Sequence, residues 1–425
     1  MRSNILPELA WLSLVMIFSL SSANAKSTLT WETCLKDLIQ NNPELSASEE
    51  GIAVSAAKKR ASFSGFFPQL AATANLNRDN SGIASDGSAT PRDQFSIGIQ
   101  ATESIFSGFK DFYRVTRASH EIRLAKATQE AIKAKLSSDL KTTFAALIYN
   151  QEQSVLAESI SKRRRDNMRM VTLRYEGGRE NKGSSLFSKA SLEQALFEVL
   201  QIHRGTEVAR LNLARVIGKT TELDFEVLGK LSWTPMEATI PFKPLVAQTP
   251  EHQQAEAQWQ VAEAQSRIAQ SDFYPELSLT GSYSKTGTIF PPNTPRWSVG
   301  VAIAFPFFPG GQNIFNYQSA SAEARKADFT KNNTDNLILA KIQQMHAAFM
   351  DAIGLQKVAK EFLEASQVRA IISRGRYQAG LMTFEDWDLI ETDLINRQKI
   401  ELQSRRDVVF AEAALEQSQG KSAFP

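Results

Sequence analysis

Residues 273–311 read FYPELSLTGSYSK (273–285), TGTIFPPNTP (286–295) and RWSVGVAIAFPFFPGG (296–311). Leu277, Leu279, Gly281 and Tyr283 alternate with Ser278, Thr280, Ser282 and Ser284. Trp297, Val299, Val301, Ile303 and Phe305 alternate with Ser298, Gly300, Ala302 and Ala304. A period of two, with one face apolar and the other small or polar, predicts two strands. Each run is about ten residues, the length a tilted strand needs to cross a bilayer core. Aromatic residues crowd the ends: Phe273, Tyr274, Phe305, Phe307 and Phe308 on one side, Tyr283 and Trp297 toward the other. An interface girdle on a membrane strand has this form. The lipid-facing set is then Leu277, Leu279, Tyr283, Trp297, Val299, Val301 and Ile303.

Outward from this hairpin the sequence turns helical. No proline falls between Pro91 and Pro235, or between Pro309 and Pro425. These tracts are rich in Ala, Leu, Glu, Lys, Gln and Arg, the strong helix formers. Ile338, Ile342, Met345, Phe349 and Ala352 step by four and three, a coiled-coil-like seam. Gln312 to about Gln378 as one helix is about 100 Å long. Each rod is expected to turn at its glycines, near 177–183 and 379–383, and to return through about Gly218 and Gln419.

The pattern occurs twice. Phe95-Ser96-Ile97-Gly98-Ile99 matches Trp297-Ser298-Val299-Gly300-Val301 at an offset of 202 residues. Arg174-Tyr175-Glu176-Gly177-Gly178 matches Arg376-Tyr377-Gln378-Ala379-Gly380 at the same offset. A constant offset over such a distance marks a duplicated unit. The first unit, 26–218, has its own hairpin at about 69–104, with a water-facing loop expected from roughly Arg78 to Arg92. The second unit is 250–419, with its hairpin at about 276–306, followed by a tail, 420–425. Between the units, 219–249 carries Pro235, Pro241 and Pro244 with apolar Leu231, Trp233 and Phe242, and reads as a connector packed on the rods. Four spanning strands cannot close a barrel, and open edges are not tolerated in lipid. Several chains must share one barrel; three chains of four strands give twelve, an even number within the known range.

Composition sets limits. A net charge of +2 gives no field that argues for nucleic acid. Residues 1–25 read as a secretory signal: Arg2, an apolar core from Trp11 to Leu20, and Ala23-Asn24-Ala25 at the cleavage site. The single cysteine, Cys34, excludes a disulfide framework and reads as an ordinary helix residue. His120, His203, His252 and His346 are scattered without ligand spacing, so no metal or other cofactor is expected. GGRENKG (177–183) lacks the Ser or Thr that follows Gly-Lys in a phosphate loop and reads as a helical turn. No catalytic constellation is present in the sequence, so any energy must come from a partner.

The duplicated layout, the junctions TESIFSGF (102–109) and AFPFFPGGQ (304–312), and the turns RYEGGREN (174–181) and RYQAGLMTFEDWDLIE (376–391) together resemble the TolC-like outer-membrane efflux proteins of Gram-negative bacteria. The resemblance covers nearly the whole chain after the signal. It implies an α+β membrane protein: a homotrimer with a shared 12-stranded β-barrel in outer-membrane lipid and a long antiparallel α-helical coiled-coil tunnel through the periplasm. It also implies docking to a periplasmic adaptor protein and an inner-membrane transporter of RND or ABC type, and so a passive exit duct for efflux or type I secretion. A non-conducting coiled-coil tether between envelope layers is the alternative; it needs no barrel.

The resemblance places the periplasmic entrance at the helix tips: Tyr175 and Gly178 at one turn, Tyr377 and Gly380 at the other. Asp386 falls on the first of two acidic positions that ring the family's pore, whereas the second falls on Leu389. The family's basic residue two after the glycine is here Met382, and Glu385 and Asp388 supply other negative charge. The same three acids also suit a first helical turn, where they oppose the helix dipole. Arg163, Arg164 and Arg165 form the densest charge run and read either as a solvated face or as an adaptor contact.

Overall fold

A computed structural model describes residues 27–83, 89–219, 224–235 and 241–424; the expected signal, 1–25, lies outside them. The first unit runs β1 (Ser27–Leu29), α1 (Trp31–Asn41), α2 (Pro43–Ser62), β2 (Gln69–Ile83), β3 (Ala89–Phe106), α3 (Lys110–Glu176) and α4 (Lys182–Val216). The connector holds β4 (Phe225–Val227) and α5 (Phe242–Val246). The second unit follows as α6 (Pro250–Ser271), β5 (Glu276–Gly287), β6 (Thr294–Ala304), α7 (Gln312–Gln378) and α8 (Phe384–Ser418).

The four long strands form one antiparallel sheet in the order β2-β3-β5-β6. Directly opposed residues share a face. Ala72 lies opposite Ile99, Ile99 opposite Tyr283, and Tyr283 opposite Trp297. Leu277 and Leu279 lie opposite Ile303 and Val301. The register therefore gathers the apolar positions of all four strands on one face. Ser282 and Ser298 are paired on the other face, their hydroxyls 2.9 Å apart. In a single chain the apolar face is open, with Trp297 and Val299 77% and 71% exposed. The first hairpin differs from expectation. Its strands continue past Arg78 and before Arg92, because Arg78 pairs with Asp93 across the ladder and Asp79 stands opposite Arg92. Opposite charges on facing positions extend a strand pair that composition alone reads as loop.

Each strand-to-helix junction turns through left-handed backbone, Gly108 (φ 63°) with Phe109 (φ 68°), and Gly310 (φ 64°) with Gly311 (φ 83°). Glycine is required at 108, since a Cβ there would lie 2.6 Å from the Ser271 carbonyl oxygen. Helices α3 and α7 are 67 residues each, about 100 Å. Near the sheet, α3 is flanked by α2 and α6, shown by Lys135–Glu44 (2.7 Å) and Arg117–Gln265 (2.7 Å). Toward the far end its neighbours are α4 and α8, with Arg405–Glu152 (2.7 Å) joining α8 to α3. The helices thus form one layer, ordered α2-α3-α6-α7 near the sheet and α4-α3-α8-α7 near the tips. The seam read from the sequence is partly borne by α7: Ile342 and Phe349 are fully buried, Met345 and Ala352 partly so.

The largest core lies midway along the rods. Leu136, Leu140, Phe144 and Leu147 of α3 pack with Leu213 of α4, Cys34 and Leu38 of α1, and Phe225 and Val227 of β4. Asn42 fastens this belt: its Oδ1 accepts from the Glu44 and Leu45 backbone N–H groups (2.9 and 3.0 Å), and its amide donates to the Val216 carbonyl (2.8 Å). β1 and β4 pair in parallel, Ser27 with Phe225 and Leu29 with Val227. Leu231 of the connector is buried and Trp233 packs on the same core. Burial pushes the Cys34 thiol up to about 12.

Candidate functional site

Both far turns end a helix with a left-handed glycine, Gly178 (φ 68°) and Gly380 (φ 78°). Each closes with a backbone bond back across the last turn, Arg179 N–H to Arg174 C=O (2.8 Å) and Leu381 N–H to Arg376 C=O (2.9 Å). Each next helix is capped by a side chain. Asn181 accepts from Ser184 N–H (2.8 Å), and Thr383 accepts from Asp386 N–H (3.2 Å).

The sequence repeat is broken inside these turns. Tyr377 is fully buried, whereas its counterpart Tyr175 is 39% exposed. The Tyr377 ring stacks on Trp387 (centroids 4.5 Å, planes 3° apart), and Phe384 meets both edge-on. The Arg174 guanidinium lies over the Tyr377 ring (4.6 Å) and donates to the Tyr377 carbonyl (3.0 Å). The Tyr377 hydroxyl donates to Glu180 Oε2 (2.9 Å). Burial, and then the bond to Glu180, raise the Tyr377 phenol above its ordinary range. The second hairpin is thereby tied to the first by one aromatic side chain.

The arginine run lies on the same seam. Arg164 donates to Asp388 (2.7 Å) and Thr392 (2.9 Å), and Arg163 reaches Glu391 (3.4 Å). Glu391 is completely buried and also meets Asn167 (3.4 Å) and Arg374 (4.0 Å). Of the three arginines only Arg165 is exposed. Two of the three residues read as a solvated face or a docking patch are therefore occupied in joining α3 to α8. Asp388 is half-buried in that contact, while Glu385 and Asp386 are exposed and Asp386 also accepts from the Thr383 hydroxyl (2.8 Å). Glu180, Asn167, Arg374, Trp387 and Glu391 were not singled out from sequence. The available signal was the match between a basic run in the first hairpin and an acidic run, EDWDLIETD (385–393), in the second.

Among the described residues no group of three or more His, Cys, Asp or Glu is placed to hold a metal ion. Of the four histidines, His252 pairs with Asp335 (2.7 Å) and His346 packs on Phe242. None of the described helices is long and apolar enough to cross a membrane.

The outer membrane efflux protein family model matches residues 34–219 and 244–421. The chain belongs to that family. It is accordingly an outer-membrane protein of a Gram-negative cell, with rods that extend into the periplasm. This outer membrane efflux protein is similar to Nodulation protein T of Rhizobium leguminosarum bv. viciae, 20% identical over 86% of this chain and 78% of the relative. It is similar to the Pyoverdine export outer membrane protein OpmQ of Pseudomonas aeruginosa, 22% identical over 83% and 77%. It is also similar to the Cation efflux system protein CusC of Escherichia coli, 23% identical over 83% and 77%. A crystal structure of CusC shares the fold at a TM-score of 0.84, with 16% identity over 92% of both chains. The outer membrane protein VceC from Vibrio cholerae does so at 0.79, with 19% identity over 92% of this chain and 96% of that one.

Proposed function

We propose that three copies of this chain close into one passive exit duct, which carries cargo across the periplasm and the outer membrane as part of a tripartite efflux or type I secretion system. The observation that carries this reading is that, among the described residues, each layer ends in an element with a neighbour on one side only. β2, α2 and α4 lie at one side, and β6 and α7 at the other. An open strand edge in lipid leaves its backbone groups unsatisfied, each at a cost of several kcal/mol. Pairing the β6 side of one chain with the β2 side of the next removes both edges, and three chains of four strands make twelve. The contact is head-to-tail, which forms a ring when the rotation between neighbours closes, and the barrel requires that it does. Apolar residues wait on both edges, Leu186, Phe197, Leu200, Val208 and Leu211 on α4, and Leu355, Val358 and Phe362 on α7.

In this ring the apolar sheet face, with Leu277, Leu279, Tyr283, Trp297, Val299, Val301 and Ile303, meets lipid, and the Ser, Thr and Gly face lines the lumen. The turns at Tyr175, Gly178, Tyr377 and Gly380 form the periplasmic entrance, where Glu385 and Asp386 recur three times. An adaptor protein and an RND or ABC transporter meet the duct there and supply its energy; the chain itself performs no chemical step and needs no cofactor. Relatives with names as unlike as pyoverdine export and cation efflux support a duct whose cargo is chosen largely by partners. Purified protein in planar bilayers tests the proposal: ion conductance is expected. Intact oligomers that leave the bilayer sealed would instead support the tether.

A further inference from the structure

The seam between the two tips holds a groove of about 620 Å³ lined by Arg169, Arg174, Arg179 and Arg374, with Asp166 the one acidic lining residue. Residues 162–182 carry eight Lys or Arg against three Asp or Glu. Two of the guanidiniums are fixed in place. Arg174 is held by the Tyr377 carbonyl (3.0 Å) and ring, and its Nε is buried without a hydrogen-bond partner. Arg374 is held by Asn167 (2.8 Å) and lies 4.0 Å from Glu391. The other two, Arg169 and Arg179, are exposed, and among the described residues neither has an ion-pair partner. Preset guanidiniums flanked by two uncommitted ones suit a planar anion, because each fork can donate two parallel bonds. Part of the wall is apolar: Met170 and Leu173 line it, and Leu173 is 60% exposed.

We propose that this groove binds an organic anion, a carboxylate or phosphate on an apolar body, as cargo entering the duct. The role as cargo rests on the duct reading above; the binding itself does not. The groove's volume of about 620 Å³ falls within the usual range for small-molecule clefts, about 300–1,000 Å³. A protein partner instead needs about 800 Å² of surface on each side, more than one groove of ten residues offers. Asp388 and Glu391 of the second hairpin are engaged by Arg164 and Arg163, and no carboxylate of the second hairpin pairs with Arg169 or Arg179 among the described residues.

The test uses the full-length oligomer in nanodiscs with three probes of one shape: 2-naphthoate, 2-naphthalenemethanol and 2-naphthylmethylammonium. The acid is expected to bind at least about tenfold tighter than the alcohol, the value of one charge-assisted hydrogen bond, and the amine weakest. Arg169→Gln/Arg179→Gln, with unchanged sedimentation, is expected to lose that preference. Equal binding of the three probes to the unaltered protein overturns the proposal, and so does a folded double variant that keeps the preference. Conductance measured on the same sample separates the two readings. A conducting protein without the preference loses only the groove assignment. A protein that prefers the acid but leaves the bilayer sealed keeps the groove and loses the duct.

Discussion

Tyr377→Phe removes one oxygen and leaves the ring stacked on Trp387. The lost contact is the 2.9 Å bond to the Glu180 carboxylate. A hydrogen bond to a charged group contributes about 1.5–3 kcal/mol. Glu180 is only half-buried, so water can replace the donor and the low end, about 1.5 kcal/mol, is the better figure. In a trimer whose three tips separate together the effect is about threefold, roughly 4.5 kcal/mol, or about three powers of ten in the open-to-closed ratio. Single-channel recording in planar bilayers reads this directly. The variant is expected to open far more often, or to a larger conductance, than the unaltered protein. Unchanged opening in normally assembled oligomers would show that the Tyr377–Glu180 bond does not hold the tips together.

Val299→Arg on the apolar sheet face is expected to cost about 2–4 kcal/mol near the bilayer midplane, whereas Ser298→Arg on the other face is tolerated; equal losses in outer-membrane oligomer yield would mean the faces are misassigned. Asp386→Asn keeps the Thr383 cap, which uses the residue's backbone N–H, but would remove charge from the proposed threefold ring, so block of conductance by multivalent cations should weaken. Unchanged block would leave Asp386 as a helix-start residue only. Cys34 is acidic only as a thiol, and its folded value of about 12 lies above that of an unfolded chain. Its contribution to stability is therefore complete below the unfolded value and is lost as pH rises toward 12. Native protein should resist iodoacetamide at pH 8.5 and react once unfolded; rapid labelling of native protein would contradict this burial.

The long elements were legible because they repeat a period many times. Trp297 to Phe305 keeps period two over a whole strand, and α7 keeps the steps of a coiled coil through Ile338, Ile342 and Phe349. The β1–β4 pair was not legible. Three residues carry almost no period, and Ser27 finds Phe225 from the far side of both long helices of the first unit. The first hairpin loop was read too long, because Arg78 and Asp93 look like loop residues until they face each other. At the tips the turns were plain from Gly178 and Gly380, but the lock was not. Tyr175 and Tyr377 are equivalent in the sequence repeat, and only packing against Trp387 and Glu180 distinguishes them. Arg163 and Arg164 read as surface because a charge run does not say which helix face it occupies. Their partners on α8 are more than 220 residues away in sequence.

Closure of three chains through unlike edges can be tested by disulfide trapping. Phe197 on α4 and Phe362 on α7 are both about half exposed. Each lies sixteen residues from the tip end of its helix, counting from Asn181 and to Gln378, which is about 24 Å up either edge. Phe197→Cys/Phe362→Cys, oxidised in the native membrane, should give covalent trimers on a denaturing gel, while either single substitution gives none. Cross-linked dimers from a single substitution, or no cross-link from the double one in folded protein, would contradict a head-to-tail ring of three.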